Sequence, residues 1–375
     1  MATPLNRRTW LAGLAWPIVA RAVPEPEPPL LVPLVAGLRV TTAVHESGAG
    51  DYESTKTLLG RLPAPLQGWR IELQATRRHP NGGPAPHPSR SLRLQLDTDL
   101  ASATTYRPRF EDDAEEDYPG TTALGPSTRV LAALRTGRST LRIVEDPAAF
   151  MPGAPDPLGL GALFAAGEVV LSGELLRQAA PPPRAVLLRG RPQTLPVLRA
   201  AGELRTRSGH SVPVQLDVLD DARNPIALGW RIGVHELAVV RIDWPAPDDA
   251  ARLTAALDRE RRVVLPGLSF DFRSAVLRSD CAAALDTLVA ALQAARPSAT
   301  WRLEGHTDNI GSDEANLALS KARAQAVQAA LTQRNARLGS RLRTVGFGAS
   351  RPVDSNATLQ GRARNRRVEL VLEAE

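Results

Sequence analysis

The sequence predicts an α+β chain in two parts. Residues 36–246 form an antiparallel β-rich domain, a sandwich or open barrel. Residues 263–375 form a two-layer α/β domain in the order β-α-β-α-β-α-β. Two observations carry this. Through the first part apolar residues recur at every second position, as strands with one wet face require. After residue 262, helical spacing takes over between short apolar runs. The 375 residues are 43% hydrophobic and 23% charged, which suffices for packed cores and is too balanced in sign for wholesale disorder. A single Cys excludes an intrachain disulfide framework and a Cys-rich zinc site. No run of about 18 apolar residues exists to span a bilayer as a helix. Aromatics at 4% argue against the girdles of an outer-membrane barrel.

Residues 1–22, MATPLNRRTWLAGLAWPIVARA, read as a cleavable export signal. Arg7 and Arg8 are its basic start, Trp10 to Ala20 its apolar run, and Ala20-Arg21-Ala22 a small-x-small cleavage site. The arginine pair before Thr9, Trp10 and Leu11 resembles a twin-arginine signal, with the general secretory route as the alternative. Pro17 and Pro24 argue against a buried helix here. The segment holds three arginines and no acid, so its removal lowers the net charge from +6 to +3. The remaining arginines are interspersed with acids, so no nucleic-acid partner is expected. The mature chain is expected in the periplasm, soluble or peripherally attached. Residues 23–35 are a Pro- and Glu-rich linker.

Within 36–246, strands are expected around Trp69 to Ala75, Leu92 to Leu96, Val212 to Val218 and Val240 to Trp244, with a short helix near 128–135. Proline and glycine clusters at 80–88 and 181–183 punctuate them. Chemistry is sparse. The acidic run Glu111 to Asp117 lacks the glycine and spacing of a calcium loop and reads as a solvated loop. His79, His87, His210 and His235 are scattered, with no metal-ligand spacing. Residues 247–262 form a helical or loop connector.

Beyond it, Val263 to Phe272 is strand-like. Ser279 and Asp280 start a helix with Cys281, Leu285, Leu288, Val289 and Leu292 on one face. Trp301 to Glu304 is a strand entering the turn GHTDNIG. Ser312 caps the next helix, with Asp313 and Glu314 at its positive end, and it runs to about Gln333. A third strand spans Leu342 to Phe347. A short basic helix, Leu359 to Arg367, precedes a final strand at Val368, Leu370 and Leu372.

These motifs resemble one family. Phe270-Asp271-Phe272 with Ala275 and Leu277, GHTDNIG (305–311), Asn316, LSKARA (319–324), GFGASRP (346–352), Asn356 and GRARNRRVEL (361–370) are similar to the OmpA-like C-terminal domain, in order and at its spacing over about 263–375. The resemblance implies non-covalent binding of peptidoglycan through the meso-diaminopimelate of its stem peptide. That side chain ends in an ammonium and a carboxylate on one carbon, so a site needs a fixed anion and a fixed cation. By resemblance Asp308 takes the ammonium, Arg323 the carboxylate, Asn316 matches the family's helix asparagine, Thr307 and Leu319 line the pocket, and Arg366 matches a further contact. A two-pronged guanidinium suits a carboxylate where an ammonium does not. Asn316, Ser320 and Arg323 fall on one helix face.

From the residues alone, a second reading stays open: Asp308 braces the turn and Arg323 is its structural partner. His306 reads as a packed turn residue, Cys281 as a core thiol, and Arg362, Arg364 and Arg367 as a solvated basic edge. No HExxH, SxxK or reactive Cys–His pair points to catalysis, and no cofactor or metal is implied. The expected role is a non-enzymatic wall-binding protein, with an envelope protein as partner of the β-rich domain. The alternatives are a wall-acting enzyme or a secretion or stator subunit that uses the domain for targeting.

Overall fold

Alternation of apolar residues puts the first part of the chain into one sheet. The computed structural model describes residues 32–46, 50–75, 89–108, 115–145, 169–179, 184–233, 235–270, 273–296 and 298–374, all within one compact unit, Leu31–Glu375. The export-signal segment, most of the linker, His79, His87, the 80–88 and 181–183 turns, Glu111 to Ala114, Asp271 and Phe272 lie outside the described residues.

The strands are β1 (Arg39–Glu46), β2 (Gly50–Arg61), β3 (Gly68–Ala75), β4 (Ser89–Leu96), β5 (Thr105–Tyr106), β6 (Glu115–Asp117), β7 (Thr121–Thr122) and β8 (Arg138–Glu145). There follow β9 (Val169–Arg177), β10 (Arg184–Leu188), β11 (Arg191–Leu195), β12 (Val197–Arg205), β13 (Ser211–Leu219), β14 (Ala227–Ile232) and β15 (His235–Asp243). The order is β6-β4-β3-β2-β1-β15-β14-β13-β12-β9-β8-β5-β7, with the β10–β11 hairpin attached to β15. Pairing is antiparallel from β4 through to β8.

The sheet is single and nearly closed. Among the described residues, its two ends meet through side chains and share no backbone ladder. Gln95 on β4 donates to Thr121 O and accepts from Ala123 N, both at 2.9 Å, and Arg93 donates to Arg107 O at 3.0 Å. Tyr106 meets Trp230 edge-on across the interior at 4.6 Å. The last three residues of the acidic run are strand β6, where a loop was expected. Among the described residues of this part are the helices α1 (Asp97–Ser102) and α2 (Thr128–Arg135). Ser127 caps α2 at Val130 N, and Val130, Leu131 and Leu134 face the core.

The connector contains α3 (Asp249–Arg259), which buries Leu253 and Leu257. The second part holds β16 (Arg262–Val264), α4 (Ala282–Ala294), β17 (Thr300–Gly305), α5 (Asp313–Arg334), β18 (Leu342–Gly346), α6 (Leu359–Asn365) and β19 (Val368–Ala374). Its sheet runs β16-β19-β17-β18, with β17 and β18 parallel. Trp301, Leu303 and Leu370 pack against Leu285, Leu288 and Leu292 of α4 and Ala324, Val327 and Leu331 of α5. Cys281 is a core residue of this cluster. The strand expected over Val263 to Phe272 stops at Val264. Pro266 has no N–H to give a ladder, and Gly267 turns the chain at φ +69°.

The basic segment 361–367 is not a solvated edge. Leu359 and Ala363 pack on Ala43, Ala238 and Val240 of the first sheet. Arg362 bonds Asp51 at 2.5 Å, Arg364 bonds Ala185 O at 3.1 Å, and Arg367 bonds Glu369 at 2.6 Å. Arg362 and Arg364 thus face a carboxylate and a carbonyl that only the tertiary fold supplies, whereas Arg367 pairs with a residue two positions along the chain.

Two glycines fix where α5 sits. A Cβ on Gly305 would lie 2.0 Å from Ser320 O, and one on Gly346 would lie 2.5 Å from Lys321 N. The ends of β17 and β18 therefore touch the α5 backbone one turn before Arg323. Gly305→Ala is expected to lower stability by about 1–3 kcal/mol by overpacking. A matching fall in the urea midpoint at unchanged m-value checks this.

Candidate functional site

Three segments converge at one end of the smaller sheet. Thr307 and Asp308 follow the last residue of β17. Ser312 accepts from Ala315 N at 3.2 Å and starts α5, whose Asn316, Ser320 and Arg323 are buried on one face. Arg366 leads into β19. The cavity between them is about 390 Å³ and is lined by Thr307, Asp308, Asn316, Leu319, Arg323 and Arg366 together. Ser320 is not available to it, since its hydroxyl donates to Leu317 O and accepts from Gly348 N.

Asp308 is buried and held twice. Oδ1 accepts from Ile310 N at 3.1 Å and Oδ2 from Arg366 Nη1 at 2.7 Å. Its structural partner is therefore Arg366, where the sequence had offered Arg323. The other edge of Arg366 bonds Glu53, from Nη2 at 2.7 Å and Nε at 3.2 Å.

Arg323 is only 7% exposed. Its Nε donates to Ser274 O at 3.0 Å, and its guanidinium lies 5.0 Å from the Phe270 ring centre. Among the described residues, neither Nη group has a hydrogen-bond partner. Burial, then the Arg366 charge, push its pKa down to about 10, against the pull of Glu53 and Asp308. It stays cationic at neutral pH. Asn316 Nδ2 and Thr307 Oγ1 are also buried without partners. A cation with two free N–H edges, an amide donor and a hydroxyl thus share a cavity with a fixed carboxylate. That set can hold a carboxylate and an ammonium side by side.

Sequence reasoning missed one wall. Asp51, Tyr52, Glu53 and Arg241 of the first sheet also line the cavity. An acid in an alternating strand carries no sign of which distant arginine it will meet, so no local pattern pointed to them. Phe270 lay in a motif that the resemblance used, but its place beside Arg323 follows only from the turn at Gly267. Asn365 lies outside the cavity's lining and braces the 353–356 loop, accepting from Val353 N and Asp354 N.

Behind the cavity, Glu304, His306 and Glu369 bring three potential ligand atoms within 4.8 Å of one another. Arg262 donates to both carboxylates, Arg302 to Glu304 and Arg367 to Glu369. Guanidinium groups already supply the positive charge there, so the set does not suit a metal ion. His306 stacks on Phe347 at 5.5 Å as a packed turn residue.

Residues 269–366 match the family model described as the OmpA family. This segment is an OmpA-family domain. Over 108 residues the chain is 43% identical to outer membrane porin F of Pseudomonas aeruginosa, covering 29% of this chain and 31% of the porin. Over 76 residues it is 46% identical to the peptidoglycan-binding protein ArfA of Mycobacterium tuberculosis, covering 20% and 23%. The chain thus spans less than a third of the length of these two relatives. The solved structure of the cell wall anchor of the T6SS from Pseudomonas aeruginosa is 31% identical, with 34% of this chain and 97% of that one covered and a TM-score of 0.27. The family match begins at residue 269, so Asp51, Tyr52, Glu53 and Arg241 of the cavity's lining lie outside it.

His306 supplies a pH test of this packing. Burial, then Arg367, lower its pKa from 6.5 to about 4. The unfolded chain binds its proton first as pH falls. The neutral ring therefore contributes fully above pH 6.5, and that contribution is lost between 6.5 and 4, by about 3 kcal/mol in total. Imidazole NMR shifts should show no titration of His306 above about pH 5, and His306→Asn should flatten the stability profile in that window.

Proposed function

We propose that the OmpA-family domain holds peptidoglycan non-covalently by the meso-diaminopimelate of its stem peptide, and so keeps the β-rich part at the cell wall. The carboxylate of the side-chain tip sits on Arg323, assisted by Asn316 Nδ2 and Thr307 Oγ1. The ammonium sits on Asp308. Leu319 flanks the methylene chain, and Arg366 lines the cavity and holds Asp308 in place.

The observation that carries this reading is the group of buried donors without partners beside a fixed carboxylate. Leaving such groups unpaired costs about 1–3 kcal/mol each, so a fold keeps them where a ligand completes them. The cavity volume of about 390 Å³ lies in the range of small-ligand sites. ArfA, named as a peptidoglycan-binding protein, supports the same ligand class.

The proposed role is binding without turnover. Cys281 is fully buried and burial raises its pKa, which disfavours a thiolate nucleophile. The proposed setting is the periplasm, after removal of residues 1–22, with an envelope protein as partner of the β-rich part.

Full-length protein should sediment with purified sacculi. Charge-assisted bonds of about 1.5–3 kcal/mol imply that Arg323→Ala and Asp308→Ala each weaken retention by about ten-fold or more. Arg323→Lys should not restore it, because one ammonium cannot make the paired bonds. Retention of both alanine variants at the wild-type level, with folding intact by circular dichroism, would contradict the assignment.

A further inference from the structure

We infer that Glu53, on strand β2 of the N-terminal sheet, is a ligand-contacting residue of this cavity and makes it select a tip that carries an ammonium beside its carboxylate. The inference rests on the diaminopimelate reading above and adds a residue from outside the OmpA-family domain.

Four carboxylate oxygens belong to the two acids nearest Arg366. Asp308 Oδ1 accepts from Ile310 N, and Oδ2 accepts from Arg366. Glu53 Oε1 takes both of its bonds from Arg366. Glu53 Oε2 accepts no hydrogen bond among the described residues. The best acceptor left for an ammonium is therefore Glu53 Oε2, with the spare lone pairs of Asp308 beside it. Burial alone would raise the Glu53 carboxyl, but Arg366 and then Arg241 more than offset this and hold it below its usual range.

Glu53 is also rigidly placed. It pairs with Ala43 in the β1–β2 ladder. Two residues earlier on the same strand face, Asp51 is tied to Arg362 and His45. The first sheet thus presents a fixed acid to a cavity whose other residues come mainly from the OmpA-family domain.

The charge balance gives the selectivity. Around the proposed tip Asp308 and Glu53 offset Arg323 and Arg366, while Arg241 and Arg273 add positive charge elsewhere in the lining, so Glu53 is needed for these four groups to accept a zwitterionic tip. Without Glu53 they sum to one positive charge, which suits a bare carboxylate.

The test uses full-length protein and two synthetic tripeptides, L-Ala-γ-D-Glu-X, in titration calorimetry. In one, X is meso-diaminopimelate. In the other, X is 2-aminopimelate, with hydrogen in place of the side-chain ammonium. Wild type should prefer the first by about ten-fold or more. Glu53→Gln should abolish that preference while keeping or improving affinity for the second, and Glu53→Asp should restore part of it. Arg323→Ala should lose both. If Glu53→Gln weakens both tripeptides equally, or keeps the wild-type preference, Glu53 only props the wall and the inference fails, while loss in Arg323→Ala leaves the diaminopimelate reading standing. If wild type binds neither tripeptide, that reading and this inference fail together.

Discussion

A buried guanidinium without a carboxylate partner is the constraint around which this structure is arranged. Removing a cation from water is costly, and burial breaks even only when bonds and opposite charge surround it. Arg323 has one backbone carbonyl, one aromatic face and two carboxylates acting at a distance. Direct pairing of Asp308 with Arg323 would be the simplest remedy. The fold forgoes it by giving Asp308 to Arg366. The result is a cation whose outer edges stay free, on a helix that cannot shift, because Gly305 and Gly346 bring two strand ends against its backbone.

Arg366 is the counterpart of that arrangement. One guanidinium edge holds the acid of the OmpA-family domain and the other holds an acid of the β-rich sheet. Together with Arg362–Asp51 and the small apolar contact of Leu359 and Ala363, it joins the two sheets at the cavity. The β-rich part therefore takes a physical share in the site. Its own closure depends on Gln95 and Arg93, two buried polar side chains that replace a missing backbone ladder.

Much of this was legible beforehand, for identifiable reasons. Helix α5, its Ser312 cap and the shared face of Asn316 and Arg323 follow from local rules of capping and periodicity. The helix at Thr128–Arg135 and the strands around Trp69 and Val212 follow likewise. Curvature was not legible, because alternation marks a strand's two faces and is silent on whether the sheet bends into one layer or two. The break after Val264 was missed because an apolar run outweighed Pro266 and Gly267. Arg362 and Arg366, and the wall at Asp51 and Glu53 that they meet, were illegible for a common reason: each is half of a long-range ion pair, and neither half shows its partner in the chain.

The central claim is that Arg323 awaits a carboxylate from a stem peptide. A crystal structure of the full chain with the diaminopimelate tripeptide tests it most directly. The account predicts the tip's carboxylate across both Nη groups of Arg323, at about 2.8 Å, as such paired bonds require. A tripeptide ordered elsewhere on the protein, with those Nη groups still bare, would contradict it.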